Sequence, residues 1–228
     1  MSSRYTAPRL CPRHDLRTGR LVGARLEGPY LSSPAQAQAA LQIGQAAWTA
    51  QGAPGPLSLS LSERLSMPNQ ASALDQAARA AGLTPGQLTF EIEERALIAR
   101  SLPLAQELRA LGWRIALRAD PQCPLPFGAQ ARSLYAEVVM TAETAPSPFI
   151  AIDALDRDHL GRRILAAREA RLTLTVEAVQ TAEAARLWLN AGFDHAEGQF
   201  SDALPVLTPQ SDIATLDRSP VALSFSSR

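Results

Sequence analysis

The chain has 228 residues, 46% of them hydrophobic and 5% aromatic, with 22 basic residues against 22 acidic ones and two cysteines. A chain of this length buries roughly 70% or more of its unfolded surface and folds without disulfide or metal staples, while zero formal charge gives no general pull toward phosphate backbones or anionic lipid. Nucleic-acid binders and membrane-surface proteins are set aside on charge, and zinc sites and disulfide scaffolds because Cys11 and Cys123 have neither C-x-x-C spacing nor companion histidines.

Read in chain order, a hairpin around Thr18-Gly19 is expected to join Tyr5–Leu10 to Leu21–Leu26. Strands are then expected at Leu57–Leu61, Leu88–Ile92, Arg114–Leu117, Glu137–Met140, Leu172–Val176 and Asp194–Phe200, from short apolar or β-branched runs. Between them, Ala, Leu and Arg-rich stretches of helical period predict helices at Pro34–Ala50, Ser72–Ala81, Leu102–Leu111, Asp158–Arg171 and Thr181–Ala191. Thr181 reads as a helix N-cap, and Gly82, Gly112 and Gly192 follow helices where a left-handed residue is wanted. This repeated βα rhythm predicts an α/β fold, a (β/α)8 barrel with its site at the C-terminal ends of the strands. Asp120–Gly128, with Pro121, Pro124 and Pro126, breaks the rhythm as a loop, and beyond Pro205 the periodicity fades. No stretch of about 18 apolar residues and no apolar leader is present, so the expected location is the cytoplasm.

Several features offer little chemistry. His14, His159 and His195 sit on unrelated elements, and no nucleophile accompanies His195 in any motif. Cys123 lacks a basic neighbour that would activate it. Gly52–Pro56 is a proline-stiffened turn, not a phosphate loop. Arg162, Arg163, Arg168 and Arg171 lie at helical spacing and read as a solvated face, and Trp48, Trp113 and Trp188 read as core or interface anchors.

The order of short patterns carries more. Asp15-Leu16 with Thr18-Gly19-Arg20-Leu21-Val22-Gly23, then Leu57–Ser62, Leu88–Glu94, Leu111–Leu117, Thr175–Thr181, Gly192-Phe193-Asp194 and Glu197-Gly198 together resemble the EAL domain family, bacterial phosphodiesterases that hydrolyse cyclic di-GMP, and their inactive relatives. The likeness runs from about Leu10 to Pro205, so an EAL-like domain with an N-terminal β-hairpin is expected over residues 1–206, without fused modules, followed by a partly disordered tail over 207–228.

The resemblance implies two metal ions held by carboxylates and an Asn, with a Lys beside the attacking water, because a metal pair stabilises both attacking and leaving oxygens. Aligned on those motifs, the signature Glu falls on Arg25, the Asn on Ser60, the paired aspartates on Arg118 and Ala119, and the Lys near Val139. Every basic residue of this chain is arginine, so no shift of alignment restores a lysine. The second Glu of the Ala-Glu-Gly-Val-Glu pattern is Gln180, and the Gln of the closing Gln-Gly is Glu197. Glu91, Glu94 and Glu177 are retained, and Glu93 adds a carboxylate on the face of Glu91.

From these replacements the chain is expected to have no catalytic residues, no bound metal and no cofactor, with Arg25 and Arg118 pairing to the glutamates instead. The expected role is a non-catalytic regulator that contacts another protein, such as a transcriptional or motility regulator, with nucleic acid and membrane excluded. The alternative is a cyclic di-GMP receptor that binds without hydrolysis, although the position of the family's phosphate-contacting Arg falls near Pro29. An active cyclic di-GMP phosphodiesterase comes third.

Overall fold

The computed structural model describes residues 8–27, 31–52, 55–96, 101–120, 131–142 and 154–200. Eight strands close into a barrel in sequence order: β1 (Arg9–Asp15), β2 (Leu21–Glu27), β3 (Leu57–Ser60), β4 (Leu88–Glu93), β5 (Arg114–Arg118), β6 (Glu137–Thr141), β7 (Thr173–Val179) and β8 (His195–Gly198). β1 runs antiparallel to both neighbours, β2 and β8, and the remaining pairs are parallel. Among the described residues seven α-helical segments accompany them, besides a 3-10 turn at Pro68–Gln70: α1 (Pro34–Ala50), α2 (Ala71–Ala80), the single turn α3 (Glu94–Ala96), α4 (Leu102–Ala110), α5 (Ala131–Leu134), α6 (Ala154–Glu169) and α7 (Ala182–Asn190). No described helix is long and apolar enough to cross a membrane.

The expected barrel is therefore present, with one element misplaced. The first strand is Arg9–Asp15 rather than Tyr5–Leu10. Asp15 is the reason: its Oδ1 accepts from the N–H groups of Arg17 and Thr18 at 2.9 and 2.7 Å, and its carbonyl accepts from Gly19 N–H at 2.8 Å. That tight turn pairs His14 directly with Leu21 and draws the polar run Arg13-His14-Asp15 into the sheet. Tyr5, Pro29, Cys123 with most of its proline-rich loop, and the tail over 207–228 lie outside the described residues.

The helices begin where local chemistry favours it. Ser33 Oγ accepts from Gln36 N–H at 3.3 Å ahead of Pro34 in α1, and Thr181 Oγ1 accepts from Ala184 N–H at 3.1 Å at the start of α7. Each cap satisfies a donor the helix leaves open. Gly192 ends α7 at φ +101, a backbone that side chains resist.

Alternation along the strands sorts the barrel into an apolar shell and a polar lumen. Leu57, Leu59, Leu88, Phe90, Ile92 and Ile115 pack against Leu41, Trp48, Leu74, Leu104 and Leu108 of α1, α2 and α4. On the other side Val138, Met140, Leu174, Val176 and Ala196 meet Ile164 and Ala167 of α6 and Ala185 and Trp188 of α7. All three tryptophans are buried. The intervening strand positions, among them Ser58, Thr89, Glu91, Glu137, Thr175, Glu177 and Glu197, are polar and still buried. They line the lumen, and the site is built from them.

Candidate functional site

At the centre of the lumen is Arg13 of β1, 5% exposed. Its guanidinium donates to Glu197 Oε1 through Nε at 2.8 Å and Nη2 at 2.6 Å, to Glu137 Oε1 at 2.6 Å, to Glu91 Oε1 at 3.1 Å and to Ser58 Oγ at 3.3 Å. Thr175 Oγ1 donates to the same oxygen of Glu137. One side chain thus joins β1 to β3, β4, β6 and β8.

A second tier lies toward the mouth. Arg118 of β5 holds Glu177 of β7 in a two-pronged pair, Nη1 to Oε1 and Nη2 to Oε2, both at 2.7 Å, and also donates to Glu91 Oε2 at 3.1 Å. Arg25 of β2 donates from Nε to Glu197 Oε2 at 2.9 Å and pairs with Glu177 Oε1 at 3.0 Å. Ser60 Oγ donates to Glu91 Oε2 at 2.6 Å. The expected pairing of Arg25 and Arg118 with the glutamates is thus present, and planar guanidinium forks suit it in a way an ammonium would not.

The lattice sets three guanidiniums against four carboxylates, Glu91, Glu137, Glu177 and Glu197. Burial penalises each charge, and its partners counter that penalty to different extents. For Arg13, Arg25 and Arg118 the neighbouring glutamates outweigh burial and hold the proton more firmly than usual. For Glu91, burial is overcome by Arg13 and Arg118, assisted by Ser60, and the carboxyl is held at about 2. For Glu197 burial prevails over Arg13, helped by the nearby charges of Glu177 and Glu91, and the group is pushed up to about 7.

Of the positions singled out in the sequence, the structure brings together Arg25, Ser60, Glu91, Arg118, Glu177 and Glu197. Val139 is buried, and its carbonyl accepts from Ala119 N–H at 2.8 Å. The other three stand apart from the lattice. Gln180 Nε2 donates to the Ala178 carbonyl at 3.1 Å on the exposed rim. Glu93 is exposed at the end of β4 and lines a cleft of about 230 Å³ with Arg95, Ala119 and Asp120. Glu94 turns away: its Oε2 accepts from buried Arg163 of α6 at 2.5 Å and from Asp120 N–H at 2.8 Å. Arg163 therefore does not belong to a solvated arginine face as expected; a buried carboxylate draws it inward.

Arg13, Glu137, Ser58 and Thr175 were missed. The misplaced first strand left Arg13 outside the sheet. The legible signal was a polar residue at every second place in otherwise apolar strands, as in Leu57-Ser58-Leu59-Ser60 and Leu174-Thr175-Val176-Glu177.

The residues present do not fit the metal pair that the resemblance implies. Glu91, Glu177 and Glu197 are each bonded to guanidinium groups, so a divalent ion among them would meet three fixed cations at close range. Among the described residues no group of three or more His, Cys, Asp or Glu side chains is arranged to hold a metal ion. The mouth opens beside Arg25 into a cleft of about 630 Å³ lined by Arg9, Cys11, Glu27, Arg118, Gln180 and Gln199 among others.

No protein-family model matches the sequence, and no curated protein sequence matches it. Solved structures do: the fold is that of EAL domains. The EAL domain of DcpA from Mycobacterium smegmatis superposes with a TM-score of 0.68 at 18% identity, covering 88% of this chain and 96% of that one. The PaMucR phosphodiesterase in complex with c-di-GMP gives a TM-score of 0.65 at 16% identity over 84% of this chain and 93% of its own. BlrP1 of Klebsiella pneumoniae, in complex with manganese and cyclic di-GMP, gives 0.65 at 15% identity over 87% of this chain, which spans 55% of that protein.

Proposed function

We propose that this protein is a non-catalytic EAL-like regulator that acts by contact with another protein, such as a transcriptional or motility regulator, in bacterial signalling. In this reading residues 1–206 are the EAL-like unit and 207–228 a tail. The observation that carries it is the guanidinium lattice at the mouth: Arg25 and Arg118 bind Glu177 at 3.0 and 2.7 Å, where an EAL phosphodiesterase would use carboxylates on cations. Two-metal hydrolysis needs hard oxygen ligands left open to the ions and a means of orienting water. Here Ser60 is tied to Glu91, Arg25 and Arg118 fall at positions the resemblance gives to ligands, the Ala119 side chain has no atom to ligate a metal, and Val139 falls near the lysine's position.

Incubation of the full chain with cyclic di-GMP and Mg2+ or Mn2+ tests this. No linear dinucleotide is expected. Product that forms with the unaltered chain and disappears in Glu91→Gln overturns the reading.

A second reading, a cyclic di-GMP receptor without hydrolysis, is favoured by the 630 Å³ cleft beside two arginines and by the cyclic di-GMP complexes of two similar structures. Calorimetric titration with the nucleotide and Ca2+ separates the two: binding tighter than about 1 μM promotes the receptor.

A further inference from the structure

Arg25 uses only its inner edge in the lattice. Nε points to Glu197 and Glu177, whereas Nη1 and Nη2 donate no hydrogen bond among the described residues, and Arg25 lines the 630 Å³ cleft. The side chain is 16% exposed, so a bond to this edge would form in partly desolvated surroundings, where charge-assisted pairs are stronger. A carboxylate already waits nearby. Glu27 Oε1 lies 3.8 Å from Arg25 Nη1, beyond hydrogen-bond reach, while its other oxygen, Oε2, is engaged by Arg9 Nη2 at 3.1 Å and Cys11 Sγ at 3.5 Å. Being 47% exposed, Glu27 is poorly buried and replaceable.

We propose that the outer edge of Arg25, flanked by Arg9, is an oxyanion site that takes an acidic side chain of a partner protein, with Glu27 as the internal carboxylate it displaces. The inference rests on the reading that the mouth works by contact and not by chemistry. A planar fork with both Nη groups open matches a carboxylate with two parallel bonds. A partner that supplied one would be recognised by charge at the outer edge of Arg25, and Arg9, which lines the same cleft, would remain as its second cation.

The test is calorimetric titration of the full chain with glutarate, and in parallel with inorganic phosphate. Glu27→Gln removes the competitor and is expected to tighten glutarate binding by about fivefold, the scale of one partly exposed charge contact. Arg25→Lys leaves an ammonium to hold Glu177 and Glu197 but no outer fork, and is expected to weaken binding by about tenfold. The proposal is overturned by absence of saturable glutarate binding to Glu27→Gln, by binding that survives Arg25→Lys, or by phosphate binding tenfold tighter than glutarate. Should Arg25→Lys fail to fold, the Glu27→Gln titration decides alone. Both titrations use the isolated chain without nucleotide, so a negative result removes the oxyanion site and leaves the phosphodiesterase assay to judge the non-catalytic reading.

Discussion

Glu91 and Glu197 share Arg13 yet are driven in opposite directions, and the difference makes stability depend on pH in a specific way. Glu91, ordinarily near 4.5, is held at about 2 in the folded chain. The unfolded chain binds the extra proton between those values, so the stabilisation from Glu91 is present above about 4.5 and is lost as pH falls toward 2. Glu197, ordinarily near 4.5, is raised to about 7, so here the folded chain binds the extra proton. Its favourable contribution is complete below about 4.5 and is lost as pH rises through 7. Melting temperature should therefore peak near the lower end of the 4.5 to 7 interval and fall on both sides. Glu197→Gln should flatten the decline above the peak while keeping the acid limb. A Glu197→Gln melting profile that still falls between pH 5 and 7 would show that the descending limb has another origin.

At the level of elements, β7 and β8 meet irregularly at the rim. Their register shifts between Val176 and Val179, and the residue that absorbs the shift is Ala178, at φ +60. A left-handed backbone costs a residue with a Cβ roughly 1–2 kcal/mol, which glycine avoids. The Ala-Glu-Gly-Val-Glu pattern that this stretch resembles has glycine at that place. Across from the next residue, Val179, Gly198 at φ +152 could not carry a side chain: a Cβ there would lie 1.9 Å from the Val179 carbonyl oxygen. Ala178→Gly should raise stability by about 0.5–1 kcal/mol, some of the relief being offset by the freer unfolded chain. Denaturant unfolding measures it, and a destabilised variant would mean that the Ala178 methyl group packs more usefully than its backbone is strained.

For the molecule as a whole, the barrel is held by two unlike devices. The apolar shell between strands and helices supplies non-directional burial. The lumen supplies direction, because Arg13 contacts side chains from four other strands at 2.6 to 3.3 Å. Arg13→Met keeps volume but strands Glu91, Glu137 and Glu197 without their shared cation. Breaking a buried charge pair in this way costs about 3–5 kcal/mol, and because Arg13 spans the barrel the loss should appear as a single cooperative shift of the unfolding transition. A shift below about 1 kcal/mol, the value of a surface pair, would show that the lumen glutamates find other partners.

The βα rhythm and the cap at Thr181 could be read directly, since they depend on neighbours along the chain: Thr181 accepts from the N–H three residues on, and the absence of lysine is plain from the composition. The barrel was legible for the same reason, because the period of the apolar residues reports which face of each element meets the core. Folding alone decided where Arg13 and Glu94 find their partners. Arg13 lies 124 residues from Glu137 and 184 from Glu197, and nothing local in Arg13-His14-Asp15 distinguishes a strand aimed into a lumen from the approach to a turn. Glu94 shows the converse, a motif carboxylate taken by Arg163 of a distant helix. Which charges share a buried space depends on strand register and barrel closure, and only there does the cost of burying each one select its partner.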